Sequence, residues 1–273
     1  MYCLQKKNNI QQLKYIRKKY LHKMNLKNHK TGIIIQARIH STRFPKKILM
    51  KIYNKRIIEI MIERLLTCFN SQDIYIATTY NKRDKVIIKS LQKYKVNFFR
   101  GSENDLVDRY YQAVKGKNVG HILRLPADNP IPDPLEYNRL ISYHLKTDND
   151  FSSNICNFMR NGYPDGFGVE IFTINSLKKI WRNEKRKKFR EHIALNFYDY
   201  KKDRKNLKFN FKIGTVKCPK KISRPKLIFD VNYYKDYLFI KKIYEYFLPQ
   251  KKFFTAADVV KWYEKKYYRK ELN

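Results

Sequence analysis

The 273-residue chain has no apolar run near the roughly 18 residues that a membrane-spanning helix needs, so a transmembrane protein is not expected. It has no C-x-x-C pair. Cys3, Cys68, Cys156 and Cys218 are scattered, with no histidine at ligand spacing, which removes a zinc site and a disulfide framework. Reduced, mostly buried thiols suit a cytoplasmic protein. The first thirty residues contain no acidic side chain and no apolar core of signal-peptide length, and are sparse in Arg and Ser for a presequence. Residues 1–30 therefore read as a basic N-terminal extension, poorly ordered and outside the chemistry, with a short helix over 11–22 as the alternative. No internal repeat occurs. Neither a Walker loop nor a G-x-G-x-x-G run is present, which weakens kinase and dehydrogenase readings.

Acidic residues are scarce: 24 Asp and Glu stand against 60 Lys and Arg, a formal net charge of +36. Such an excess can hold phosphate-rich polymers, which makes nucleic-acid binding one reading. The other is genome-wide bias, because the lysines run from end to end beside abundant Asn, Ile, Tyr and Phe, residues with A/T-rich codons. The even spread favours the second, and no nucleic-acid partner is expected. A hydrophobic content of 43% is ordinary for a packed domain.

Past residue 30, apolar runs of strand length alternate with stretches of helical period, the mark of a mostly parallel sheet covered on both faces. Strands are expected at 32–36, 73–79, 96–99, 121–125, 169–172, 207–216 and 227–231. Helices are expected at 57–69, 86–94, 106–114, 134–145, 176–184, 191–198, 236–247 and 255–265. In such α/β folds ligands gather beyond the carboxyl ends of the strands.

The loop after the first strand reads I-Q-A-R-I-H-S-T-R-F-P-K-K-I-L over 35–49 and gathers Arg38, Ser41, Thr42, Arg43, Lys46 and Lys47. Cations packed this closely repel unless an anion fills the space between them, and a triphosphate would do so. Charge alone favours a solvated basic loop in a chain this rich in lysine. The pattern Q-A-R-x-x-S-T-R-x-P-x-K-x-L, however, resembles the opening signature of the cytidylyltransferases that activate 3-deoxy sugar acids, the acylneuraminate and CMP-ketodeoxyoctonate synthetase-like family. The spore-coat polysaccharide branch is the most similar. The resemblance implies a Rossmann-like nucleotide-diphospho-sugar transferase fold, a mixed, mostly parallel sheet with helices on both faces. It also implies transfer of CMP from CTP to an acidic sugar, with release of pyrophosphate, for surface polysaccharide or glycan biosynthesis. On it, Arg38, Arg43 and Lys47 are phosphate ligands, and Ala37 and Ser41 line the nucleotide. His40 and Lys46 stand where the family usually has glycine.

Five further segments extend the match. F-R-G-S-E-N-D-L-V-D-R-Y-Y-Q-A over 99–113 resembles a family motif that places Arg100, Gly101 and Ser102 beside the nucleotide; alone, it reads as a strand end with Ser102 capping a helix. R-L-P-A-D-N-P over 124–130 ends in Asp128, a carboxylate suited to Mg²⁺, or alone an Asx-type cap. L-I-F-D-V-N over 227–232 resembles a late D-x-D segment, making Asp230 the second metal ligand, with the uncharged Asn232 at the position the family more often fills with a ligand. Y-P-D-G-F-G-V-E over 163–170 and R-E-H over 190–192 imply a sugar pocket containing Asp165, Glu170, Arg190 and His192. The resemblance thus names Mg²⁺ as cofactor, CTP and an acidic sugar as partners, and often a homodimer. It divides the chain into a cytidylyltransferase-like domain over 31–250, with 151–216 as sugar side and possible dimer arm, and a C-terminal helix within 251–273. A non-catalytic relative that still binds nucleotide sugars, and a glycosyltransferase of similar fold, are the alternatives.

Overall fold

The structure is a computed structural model and describes residues 30–250 and 253–267; the expected extension, its helix over 11–22 and Cys3 lie outside the described residues. The chain opens with β1 (Thr31–Gln36), whose Ile33, Ile34 and Ile35 are fully buried. A hairpin of β2 (Lys51–Ile52) and β3 (Lys55–Arg56) leads into α1 (Ile57–Leu65), started by Glu59 accepting from the Arg56 backbone N–H at 2.8 Å. Then come β4 (Ile74–Thr79), α2 (Lys85–Leu91), β5 (Asn97–Gly101), α3 (Leu106–Val114) and β6 (His121–Pro126). Asp105 caps α3, and Asp133 caps α4 (Pro134–Thr147), which carries proline in its first turn. The remainder is β7 (Phe151–Ser153), β8 (Glu170–Thr173), α5 (Ile174–Asn183), α6 (Lys187–Glu191), β9 (Tyr198–Asp199), β10 (Arg204–Lys205), β11 (Ile213–Thr215), α7 (Tyr234–Phe247) and α8 (Ala256–Tyr267).

Seven strands form one sheet in the order β11-β7-β8-β6-β1-β4-β5. The β6-β1-β4-β5 half is parallel, with Ile35 opposite Leu125 on one side and Ile76 on the other. β8 runs antiparallel between β6 and β7, and β11 rejoins parallel to β7, so the sheet is mixed as expected. Alternation along the strands sends side chains to opposite faces. Ile33, Ile35, Ile76 and Leu123 join a core roofed by α1, α2, α4, α7 and α8, while Ile34, Ala77 and Ile122 join one covered by α3 and α5. The second core continues into an aromatic group from the arm, where Phe197 stacks on Phe151 and packs against Phe211. Cys156 and Cys218 are buried, and burial pushes their thiols up to about 11 and about 12.

Three expected elements differ. The helix expected over 191–198 lies earlier, as α6, and 193–196 is a 3₁₀ turn leading to β9, in which the Asn196 side chain donates to the Phe189 and Ile193 carbonyls. The strand over 207–216 shrinks to β11, since Phe209 and Phe211 are held by aromatic packing and not by a ladder. The strand over 227–231 is one parallel bridge between Asp165 and Ile228.

Candidate active site

Beyond the carboxyl end of β1, pairing continues for one residue: Ala37 N–H donates to the Ala77 carbonyl, and Ala127 N–H to the Gln36 carbonyl, both at 3.2 Å. The chain then leaves the sheet, and buried Asp84 seizes it by accepting from Ile39 N–H at 2.8 Å. The Lys46 N–H closes the loop onto the Ile39 carbonyl at 3.1 Å. Arg38, His40, Ser41, Thr42, Arg43 and Lys47 therefore face one cleft of about 670 Å³. Lys46 has φ +61°, ψ +14°, the left-handed conformation that glycine adopts without strain, whereas His40 is not among the residues of positive φ. Only one of the two departures from glycine therefore strains the backbone.

Lys47 reaches inward, mostly buried, and donates to Asp128 Oδ2 and to the Val231 carbonyl, both at 2.7 Å. Val231 N–H in turn donates to the Asp128 carbonyl at 2.9 Å, so the tip of β6 and the segment before α7 are joined backbone to backbone. That junction brings Asp230 beside Asp128. Asp230 Oδ2 accepts from the Asn232 amide at 2.6 Å, while its Oδ1 is buried without a partner. Burial, with Asp165 and Asp128 close by, pushes the Asp230 carboxyl up to about 6. An orphaned carboxylate oxygen in an acidic setting suits a divalent cation better than any neutral partner. Among the described residues no three His, Cys, Asp or Glu side chains form a ready metal cage. Mg²⁺ needs none, because it takes one or two carboxylates and fills the rest with water and phosphate. Asp128 and Asp230 fit it.

The floor of the cleft holds Gln36, Arg109 and Arg124. Gln36 Oε1 accepts from Tyr110 at 3.1 Å and from Arg124 at 3.3 Å. Burial opposes the charge of Arg124, but Glu170, paired to it, outweighs that cost and holds it more firmly protonated. Arg109 is 4% exposed; burial lowers its pKa, one guanidinium nitrogen donates to the Ser102 carbonyl at 2.9 Å, and Nε has no partner. The facing wall comes from the arm: Lys188, Glu191, His192, Asp199, Tyr200 and Lys201.

Of the residues named from the sequence, Arg38, Arg43, Lys47, Asp128, Ala37, Ser41 and His192 line the cleft. Glu170 stands one layer behind, 1% exposed, accepting from Arg124 and from the Tyr200 hydroxyl at 2.8 Å. Asp165 is not on the arm side: its backbone is zipped to Leu227 and Phe229, which puts its carboxylate with Asp128 and Asp230. Arg190 is a correction. Three of its five N–H donors go to Asp105 at 2.7 Å and to the Trp181 and Glu184 carbonyls, outside the cleft. Arg100, Gly101 and Ser102 are corrected likewise. Arg100 bonds the Thr79, Tyr80 and Asn81 carbonyls, Gly101 accepts from Tyr80 N–H, and Ser102 accepts from Asp105 N–H at 3.1 Å.

Sequence reasoning missed Arg109, Arg124 and Tyr200. A signal existed for Arg109: it interrupts the apolar stripe Leu106, Val107, Tyr110 and Ala113 of α3, and a cation on a buried face needs a partner. Tyr200 carried none, because long-range contacts, its hydroxyl hydrogen-bonded to Ser153 and Glu170, set its place.

A family model described as cytidylyltransferase matches residues 32–267. An uncharacterized protein of Methanocaldococcus jannaschii is 33% identical over 214 residues, 78% of this chain and 83% of that one. The spore coat polysaccharide biosynthesis protein SpsF of Bacillus subtilis is 27% identical over 217 residues, 78% of this chain and 85% of its own length. Among solved structures, a cytidylyltransferase from Leptospira borgpetersenii superposes with a TM-score of 0.76 at 29% identity, covering 87% of this chain and 94% of that chain. No described helix is long and apolar enough to cross a membrane.

Proposed function

The chain belongs to the cytidylyltransferase family, and from that premise we propose that it transfers CMP from CTP to an acidic sugar of the nonulosonate or ketodeoxyoctonate type, releasing pyrophosphate. One observation carries the reading: Lys47 ties the cationic loop to Asp128, so cations for a triphosphate and carboxylates for its counter-ion meet at one cleft. Its volume of about 670 Å³ lies in the range of small-molecule sites and has room for a nucleotide and a second ligand. Arg38 and Arg43 meet the phosphate oxygens from the mouth, and Arg109 from the floor. The acceptor lies toward the arm, where Lys188 and Lys201 answer its carboxylate and His192 hydrogen-bonds its hydroxyls. The sugar hydroxyl attacks the α-phosphorus and pyrophosphate leaves; no protein nucleophile is needed, so positioning and charge neutralisation do the catalysis. Mg²⁺, held by Asp128 and Asp230, would share the charge that builds on the phosphate oxygens.

The test is pyrophosphate release with CTP, UTP, ATP or GTP against ketodeoxyoctonate and a panel of nonulosonic acids. We expect CTP-dependent turnover, lowered about 100-fold or more by Asp128→Asn, the loss usual for one group that neutralises transition-state charge. CTP binding without release against every acid would favour the non-catalytic reading, and full turnover in Asp128→Asn would remove the mechanism.

A further inference from the structure

The Pro-Asp-Gly turn at 164–166 is fastened to the metal-side segment and not to the arm. Asp165 N–H donates to the Leu227 carbonyl at 2.9 Å, and Phe229 N–H donates back to the Asp165 carbonyl at 3.0 Å. Gly166, at φ +89°, lets the two backbones touch: a Cβ there would stand 2.4 Å from the Phe229 carbonyl carbon and 2.5 Å from the Asp230 nitrogen. A side chain at 166 would force the strands apart, so glycine is what permits this approach. Three segments thus bring three carboxylates, Asp128, Asp165 and Asp230, near one another, with Lys47 paired to Asp128 and the Gly166 N–H donating to Asp165 Oδ1 at 2.8 Å. Fully ionised, they leave two negative charges over, which one divalent cation neutralises. Asn232, meanwhile, contributes no charge and spends its amide on Asp230.

Resting on the function proposed above, we infer that Asp165 is the third acidic group of the cation site and replaces, from a different loop, the charge that Asn232 lacks. Among the described residues no three carboxylates close into a cage, so Asp165 acts on the water shell of the ion and not as a direct ligand. It is a positioning residue for the cation, and no part of the sugar pocket.

The experiment is titration of the full chain with Mn²⁺ alone, free ion being read by electron paramagnetic resonance. Asp165→Asn should weaken Mn²⁺ binding about 10-fold or more, the effect usual for outer-shell partners. Asn232→Asp alone should tighten it, and Asp165→Asn with Asn232→Asp should recover most of the loss, which a merely structural role of Asp165 does not predict. Melting of the ion-free Asp165→Asn chain should match or exceed wild type, since a carboxylate repelled by its neighbours is gone. Unchanged Mn²⁺ affinity in Asp165→Asn overturns the inference, as does a wild-type chain that takes up no Mn²⁺. Neither acceptor nor transfer enters this titration, so a chain that binds Mn²⁺ as expected yet transfers nothing would remove the proposed function and leave the cation site standing.

Discussion

Two pairs of arginines sit near the carboxyl edge of the sheet, in motifs of equal prominence, and the protein uses them in opposite ways. Arg38 and Arg43 are exposed on the first loop; Arg38 meets Glu103 loosely at 3.4 Å, and Arg43 lies over the Tyr233 ring at 5.6 Å. Arg100 and Arg190 have each committed three of their five donors within the fold: Arg100 to three successive carbonyls, Arg190 to a carboxylate and two carbonyls. A guanidinium with unspent donors beside a cleft is available to a ligand. One whose donors are satisfied holds the fold, whatever motif it belongs to.

Alanine at each position should separate the two roles. Arg43→Ala should lower kcat/KM for CTP about 100-fold, with a melting temperature close to wild type, since an exposed side chain leaves no buried group unpaired. Arg100→Ala should do the reverse: a loss of about 2 kcal/mol, read as a fall of about 5 °C in Tm, with kcat/KM nearly kept below the transition. Crossed results, with Arg100→Ala catalytically dead at full stability, would break the distinction.

The same distinction explains what was legible in the sequence. The parallel half of the sheet could be read because a buried strand shows as an apolar run and a covering helix as a periodic one; the expected bounds of α3 are those observed. The loop at 36–47 was legible through its pattern Q-A-R-x-x-S-T-R-x-P-x-K, since its charge alone fits a solvated loop. Spent and unspent donors, by contrast, look alike in a sequence: Arg190 and Arg109 differ only in which carbonyls lie nearby, and tertiary packing sets those. The arm was least legible. Its strands are two to four residues long, and Tyr200 owes its place to Glu170 and Ser153, some 30 and 47 residues away in the chain.

At the opposite end of β6 a buried polar group is fully satisfied, and pH should expose it. His144 is 0% exposed; its rings of contact are His121 at 3.2 Å and the Ser152 hydroxyl at 3.0 Å. Burial, with His121 adding repulsion, lowers His144 from an ordinary 6.5 to about 3. The unfolded chain therefore binds the extra proton first, and the contribution of His144 is whole above pH 6.5 and fades as pH falls toward 3. At pH 5.5 the loss is about 1.4 kcal/mol. Asp230 acts against it: its raised pKa means the ion-free chain gains stability as pH falls through about 6. The two separate by difference. The gap in Tm between wild type and His144→Gln should narrow steadily from pH 7.5 to 5.5, and a gap independent of pH would show that His144 does not stay neutral.

The smallest expected effect returns to the first loop. Lys46 holds φ +61°, a conformation that glycine adopts without strain, and its side chain is exposed, so little packing offsets the crowding of its Cβ against the following carbonyl. Its backbone still does the work of that position, since Lys46 N–H reaches Ile39 and the Lys46 carbonyl accepts from Leu49 N–H at 2.8 Å. Lys46→Gly should relieve the strain at some cost in unfolded-chain entropy, for a net gain of up to about 1 kcal/mol. The same change removes one cation from a loop already crowded with them, so stability without ligand should rise while the KM for CTP moves less than twofold. A large rise in KM would instead make Lys46 a phosphate ligand in its own right and the left-handed turn the means of aiming it.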